Sequence, residues 1–248
     1  MSFLDILGFS NMIRENDLDF IIRKFEAVLY FLPHPKALGK YVKLEGETNQ
    51  GVKKCSCFSF SDTFVLSTED TSDESFNNIT IATFLLARSL FGVGLPVRGA
   101  ITRGEADCIP NTNHLLGKAI IGAKELEEKQ DWFGIILSPD VLSVYDVIPS
   151  PIENILVEYQ VPLKECKDTP FVVINWRLNL DVEHGIESLF PNVSDHRQLR
   201  KKMNTLKFEK YINDSGKAYR DVKEKWQHKI RISDRPQVKS QFVLGHDF

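Results

Sequence analysis

Apolar and polar positions along this chain follow two periods, and the changes between them mark out the elements. Residues 2–7 are a short, mostly apolar run that ends in Gly8-Phe9-Ser10-Asn11, so they read as a strand closed by a turn. From Asp17 to Tyr30 the apolar positions recur every three or four residues until Pro33 and Pro35, which predicts an amphipathic helix. Residues 54–60 and 63–68 read as two strands around Ser61-Asp62, a hairpin with the acid at its tip. The acidic, hydroxyl-rich stretch 68–75 reads as a loop. Helical spacing returns over 76–91 and stops at Gly92 and Gly94, and Val97–Thr102 reads as a strand that closes at Gly104.

Further along, Gly117–Lys129 is a second amphipathic helix and residues 133–138 a buried strand. The order strand, helix, hairpin, helix, strand, helix, strand predicts an α+β sandwich, one sheet with helices mainly on one face. The proline cluster Pro149-Ser150-Pro151 marks a boundary. Two strands are expected after it, at 155–162 and at 170–177 with Asn175-Trp176, followed by a polar helical stretch from about Asp195 and a tail. The expected division is residues 1–148 as the main unit and 149–248 as an extension packed on it or completing it.

Composition narrows the classes of function. The chain has 248 residues, 42% hydrophobic and 26% charged, enough apolar material for one large core. A net charge of −3 gives no global basic field for nucleic acid or an anionic membrane. No apolar run reaches membrane-spanning length, and the acid at Asp5 with no basic flank argues against a secretory signal. Lys201, Lys202 and Lys207 interleave with Leu199, Met203, Leu206 and Phe208, the pattern of a packed surface helix rather than of a nucleic-acid binder. The four cysteines, at 55, 57, 108 and 166, have no second ligand pair at zinc spacing and are expected as free thiols. These features together point to the cytoplasm.

The candidate chemistry lies in two acids. Asp5 ends a strand just before a glycine turn, whose successive backbone N–H groups suit phosphate oxygens. Asp62 sits at the hairpin tip. If these strands neighbour one another, the two carboxylates converge, and converging carboxylates with phosphates nearby suit a hard divalent cation. Taken singly, each acid reads as a turn or loop residue; the pair in context carries the chemistry.

Four segments bear a resemblance. Phe3-Leu4-Asp5-Ile6-Leu7-Gly8-Phe9-Ser10 is similar to the first metal-binding motif of the class III nucleotide cyclases, and Ser61-Asp62 resembles that family's Gly-Asp hairpin. Arg98–Glu105 resembles the family strand Arg-Ile-Gly-Ile-His-Thr-Gly, and Gly117–Leu126 falls on its Gly-x-x-Val-Asn-x-Ala-x-Arg-Leu helix. The likeness covers residues 1–145 and implies a ferredoxin-like catalytic domain with a C-terminal extension. It implies two ions, Mn²⁺ or Mg²⁺, held by Asp5, Asp62 and the Ile6 carbonyl, with Gly8, Phe9 and Ser10 on the phosphates. It also implies a homodimer with sites at the interface, acting on a nucleoside triphosphate.

The pattern departs at four positions. Phe58 stands where adenylate cyclases carry a base-reading Lys, and His114 where they carry a base-reading Asp. Ile121 and Glu125 replace the transition-state Asn and Arg. The chain as a whole looks like the stand-alone Pycsar antiviral cyclases, which implies UTP, or next CTP, as substrate and a separate cyclic-nucleotide-binding effector as reader of the product. Phe58 and His114 are then the base-side candidates. Arg103 is the candidate replacement cation and Arg98 a weaker one. The alternative is a cyclase-like domain that binds a nucleotide without turning it over.

Overall fold

A computed structural model describes residues 1–31, 55–108, 115–144, 152, 155–165, 168–178 and 196–214. The expectations for Pro33, Pro35, His114, Pro149–Pro151 and the tail lie outside the described residues.

The first strand, β1 (Ser2–Ile6), is followed by helices α1 (Phe9–Glu15) and α2 (Leu18–Phe31). The hairpin β2 (Cys55–Phe60) and β3 (Thr63–Thr68) comes next, then helix α3 (Asp73–Gly92) and strand β4 (Val97–Ile101). A minor pair, β5 (Asp107–Cys108) with β6 (Leu115–Leu116), precedes helix α4 (Lys118–Lys129), strand β7 (Ile135–Leu137) and the single turn α5 (Pro139–Leu142). Strands β8 (Leu156–Val161) and β9 (Thr169–Ile174) and helix α6 (His196–Asp214) follow.

Among the described residues, seven strands form one sheet in the order β2-β3-β1-β4-β7-β9-β8, antiparallel throughout except for β4 with β7. Its first four strands, β2-β3-β1-β4, with α2 and α3 in the crossovers, have the βαββαβ order and the strand arrangement of a ferredoxin-like unit. The α+β class expected from the element order is therefore what the chain adopts. Strands β8 and β9 join the same sheet, extending it beyond β7.

Register decides which side chains share a face, since residues directly opposite one another point the same way. Leu4, Phe64 and Gly99 form one row, and on that face the Phe64 ring stacks with Phe25 of α2 at 6.3 Å. Asp5, Thr63 and Arg98 form the adjacent row on the opposite face, where Arg98 meets Glu127 of α4. Helices α2 and α3 thus cover one face, and α4 covers β1 and β4 on the other. Helix α6 lies on the α4 side. There Phe208 is fully buried and sits edge-on to Trp132 at 5.0 Å and to Tyr159 at 4.9 Å. The extra cover is needed because a seven-stranded sheet has two apolar faces, and the two crossover helices hide only one.

Two local features differ from the sequence expectation. The Gly8–Asn11 turn opens a helix: Gly8 adopts a left-handed conformation (φ 79°), and its carbonyl accepts from the N–H groups of Asn11 and Met12 at 3.1 and 3.0 Å. A glycine that reads as a stop in sequence here reverses the chain and caps α1. Helix α3 begins at Asp73, inside the stretch expected as loop. Ser72 accepts from the Ser75 N–H at 3.2 Å, and Asp73 and Glu74 place negative charge in the first turn, where the helix dipole favours it.

At the centre of the sheet, Gly99 is dictated by space. A β-carbon there would lie 2.3 Å from the Phe3 carbonyl oxygen and 2.8 Å from the Leu4 side chain. Asn175-Trp176 is structural: Trp176 is fully buried and its ring stacks on Phe91 at 3.9 Å. Cys55 is half-buried and Cys57 exposed, both as free thiols on the edge strand β2. Among the described residues, no helix is long and apolar enough to cross a membrane.

Candidate functional site

Strand β1 lies between β3 and β4, so its C-terminal end is flanked by the hairpin tip on one side and the start of β4 on the other. The Ile6 N–H donates to the Asp62 carbonyl at 2.9 Å, one step beyond the Asp5–Thr63 pair. Two acids 57 positions apart in sequence are thereby brought close along the backbone, one near the end of β1 and the other in the β2–β3 turn. The next residue is held as well, the Leu7 N–H donating to the Pro96 carbonyl at 2.9 Å. Gly8 then turns the chain and α1 starts, with the N–H groups of Phe9 and Ser10 in its unbonded first turn. The Phe9 ring itself packs edge-on against Phe25 at 5.7 Å. What this segment can offer a phosphate is therefore backbone N–H groups and the exposed Ser10 hydroxyl.

Asp5 is half-buried, and its acidity reflects that. Burial is the main cause that pushes its pKa up from 3.8 to about 6. The negative charges of Glu127 and Asp62 push the same way, and Arg98 and Lys124 offset them in part. The side chain thus sits in a cluster whose acids outweigh its bases. A carboxylate whose proton affinity is raised by burial and by neighbouring acids is stabilised by a divalent cation, and the donors here, carboxylate and backbone carbonyl oxygens, are hard. Among the described residues, no group of three or more His, Cys, Asp or Glu side chains is placed to hold a metal. Two carboxylates suffice for an ion that takes its remaining ligands from water and substrate phosphates, the usual habit of Mg²⁺.

The other sequence candidates lie at varying distances from this point. Phe58 is half-buried on β2, opposite Val65, in the row next to that of Asp5 and on the same face. Phe60, which the sequence reading passed over, stands in the Asp5 row itself and is 85% exposed. Arg103 is not brought to the acids within one chain. Because β4 runs antiparallel to β1, Val97 lies opposite Ile6 and Ile101 opposite Ser2, so Arg103 follows the far end of the strand. There it is exposed and donates to the Thr71 hydroxyl at 3.4 Å. Arg98 lies directly opposite Asp5, but its guanidinium is engaged by Glu127 and by the Gln130 carbonyl. Ile121 is 62% exposed on the outer side of α4. His114 is outside the described residues.

Glu127 escaped the sequence reading, although a signal was present. The buried positions of α4 are Ala119, Ala123 and Glu127, so an acid occupies the third place in a stripe of inward-facing residues at four-residue spacing.

No protein-family model matches the chain, and a search of curated proteins finds no relative. Among solved structures, the crystal structure of the guanylyl cyclase Cya2 aligns with 70% of this chain and 88% of that one, at 14% identity and a TM-score of 0.42.

Proposed function

We propose that this protein is a nucleotide cyclase that converts a pyrimidine ribonucleoside triphosphate, UTP ahead of CTP, to its 3′,5′-cyclic monophosphate and pyrophosphate. The observation that carries the reading is the backbone pairing that sets Asp62 beside the end of β1, where the Ile6 N–H donates to the Asp62 carbonyl one residue after Asp5 and the Gly8 turn follows at once.

In this reading Asp5, Asp62 and the Ile6 carbonyl hold two divalent ions, Mn²⁺ or Mg²⁺. When bound, these supply charge that lowers the pKa of the ribose 3′-hydroxyl and neutralises the triphosphate. Gly8, Phe9 and Ser10 orient the phosphates through their backbone N–H groups. The 3′-oxygen attacks the α-phosphorus in line and pyrophosphate leaves, so the chain contributes position and charge rather than a covalent intermediate. Phe58, in place of a base-reading lysine, offers a ring face but no hydrogen bond, which disfavours purine selection of the usual kind.

The active species in this reading is a homodimer. Exposed Phe60 and Ile121 lie on the side of the sheet that carries Asp5, the face that a partner protomer would cover in this reading. Arg103, remote from Asp5 in its own chain, would serve as the transition-state cation only across such an interface. The cellular role that fits is a cytoplasmic second-messenger synthase in antiviral defence, its product read by a separate cyclic-nucleotide-binding effector.

A second reading has an observation of its own. Ile121 and Glu125 supply no transition-state amide or cation, and Arg103 is far from Asp5, which favours a domain that binds nucleotide without turnover. One experiment separates the two: incubation of purified protein with each of the four ribonucleoside triphosphates and Mn²⁺. A cyclic monophosphate with pyrophosphate from UTP or CTP supports the cyclase, and binding without product supports the sensor. Product mainly from ATP or GTP overturns the pyrimidine assignment.

A further inference from the structure

Arg98 and Asp5 are direct cross-strand partners in β4 and β1. Opposite residues in an antiparallel pair have β-carbons about 5 Å apart, so a guanidinium in that position ordinarily closes on the facing carboxylate. Here it does not. Among the described residues, no hydrogen bond or ion pair joins Arg98 to Asp5. The Arg98 Nε and a terminal nitrogen both bond the Glu127 carboxylate, and the other terminal nitrogen donates to the Gln130 carbonyl at 2.9 Å.

Gln130, whose carbonyl takes one end of Arg98, is itself firmly held. Gln130 donates through its side-chain amide to the carbonyls of Gly99 at 2.8 Å and Leu126 at 3.1 Å, and accepts from the Trp132 indole at 2.9 Å. Helix α4 is drawn onto the sheet by the Thr102 hydroxyl, which donates to the Ala119 carbonyl at 2.7 Å, with only the small side chains of Ala119 and Ala123 between. This brings Glu127, 3% exposed, to Arg98, 6% exposed. A buried ion pair of this kind adds little net stability over apolar residues of similar size, so its presence beside the site calls for another reason.

We propose that Glu127 is a positioning residue of the site: it holds the Arg98 guanidinium away from Asp5 and so leaves the Asp5 carboxylate open to a divalent cation. The inference rests on Asp5 as a cation ligand, the reading given above. It goes beyond that reading by naming the residue that keeps the ligand free. Without Glu127, Arg98 becomes an internal competitor for the same carboxylate.

The test is Mn²⁺ binding, followed by the loss of the free-ion electron paramagnetic resonance signal, in wild type, Glu127→Gln, and Glu127→Gln combined with Arg98→Met. An arginine that pairs with a carboxylate favours its charged form by about one to three pK units, so Glu127→Gln is expected to weaken Mn²⁺ binding about tenfold or more. Adding Arg98→Met removes the competitor and is expected to return binding to within about threefold of wild type. A merely structural role for Glu127 predicts the reverse, a double variant no better than the single one, and that result overturns the inference. Equal binding by wild type and Glu127→Gln also overturns it while leaving the Asp5 reading intact. Absence of Mn²⁺ binding by wild type overturns both. If Glu127→Gln does not fold, Arg98→Met with Glu127→Leu replaces the pair by apolar side chains that a buried site tolerates. Binding within about threefold of wild type is then expected, and a loss beyond about tenfold refutes the proposal.

Discussion

Replacing Asp5 by Asn should make the metal-free protein more stable at neutral pH while removing its response to metal. Burial first, then Glu127 and Asp62, raise the Asp5 pKa from 3.8 to about 6. The native state therefore holds this proton more tightly than the unfolded chain does. The group favours the native state at acid pH, and that advantage is lost as pH rises from about 4 through about 6. Above this window the fold carries an ionised carboxylate at a full cost of about 3 kcal/mol, which solvent contact at a half-buried group reduces to about 1–2 kcal/mol. Asparagine has the same shape without the charge. For a chain of this size the gain corresponds to a rise in Tm of about 3–6 °C. The assay is thermal unfolding with a chelator at pH 4 and at pH 8: the variant should match wild type at pH 4 and exceed it at pH 8. Excess Mn²⁺ should reverse the order at pH 8, since a ligand at 100 times its Kd stabilises wild type by about 2.7 kcal/mol and the variant not at all. A variant less stable than wild type at pH 8 in chelator, or a difference independent of pH, would refute the electrostatic account of the site.

Other outcomes follow from the fold. Phe60→Glu should leave thermal stability nearly unchanged, because the ring is 85% exposed, but shift the proposed dimer to monomer in sedimentation velocity. Gly99→Ala should lower the urea midpoint by the equivalent of about 1–3 kcal/mol, since the new methyl group meets the Phe3 carbonyl at 2.3 Å; an unchanged midpoint would show that β1 and β4 can part there. Phe208→Ala should lose about 3–5 kcal/mol in the same measurement, because its ring fills the space between Trp132 and Tyr159. A small effect would mean that α6 rests only lightly on the sheet.

Much of this molecule is legible in its order of residues. Periodicity located β3, α2, α4 and α6 to within a few positions, because each buries one face, and a buried face imposes its own repeat on the sequence; β2, which buries none of its residues, was found from its place beside β3 across the Ser61-Asp62 turn. The two acids were also visible as candidates, since strand-end and hairpin-tip acids beside a glycine turn form a local pattern. Local pattern did not reach α1, where Gly8 reads as a stop and in fact caps a helix, or the start of α3, where polar residues that resemble a loop serve as its cap and first turn. It also placed the helices mainly on one face, whereas they divide between the two, because that division depends on which strands become neighbours.

The sequence by itself determined the long strands and the helices α2, α3, α4 and α6, and supplied Asp5 and Asp62. Only the tertiary structure decided that β1 lies between β3 and β4, which sets Asp5 beside the hairpin tip that carries Asp62 and places Arg98 opposite Asp5. The same packing brought Glu127 to Arg98 and left Arg103 at the far end of its strand. The physical reason is that periodicity is a property of one segment and its own buried face. A site made of charges is set by distances between segments, and those distances exist only after the sheet has chosen its strand order and register.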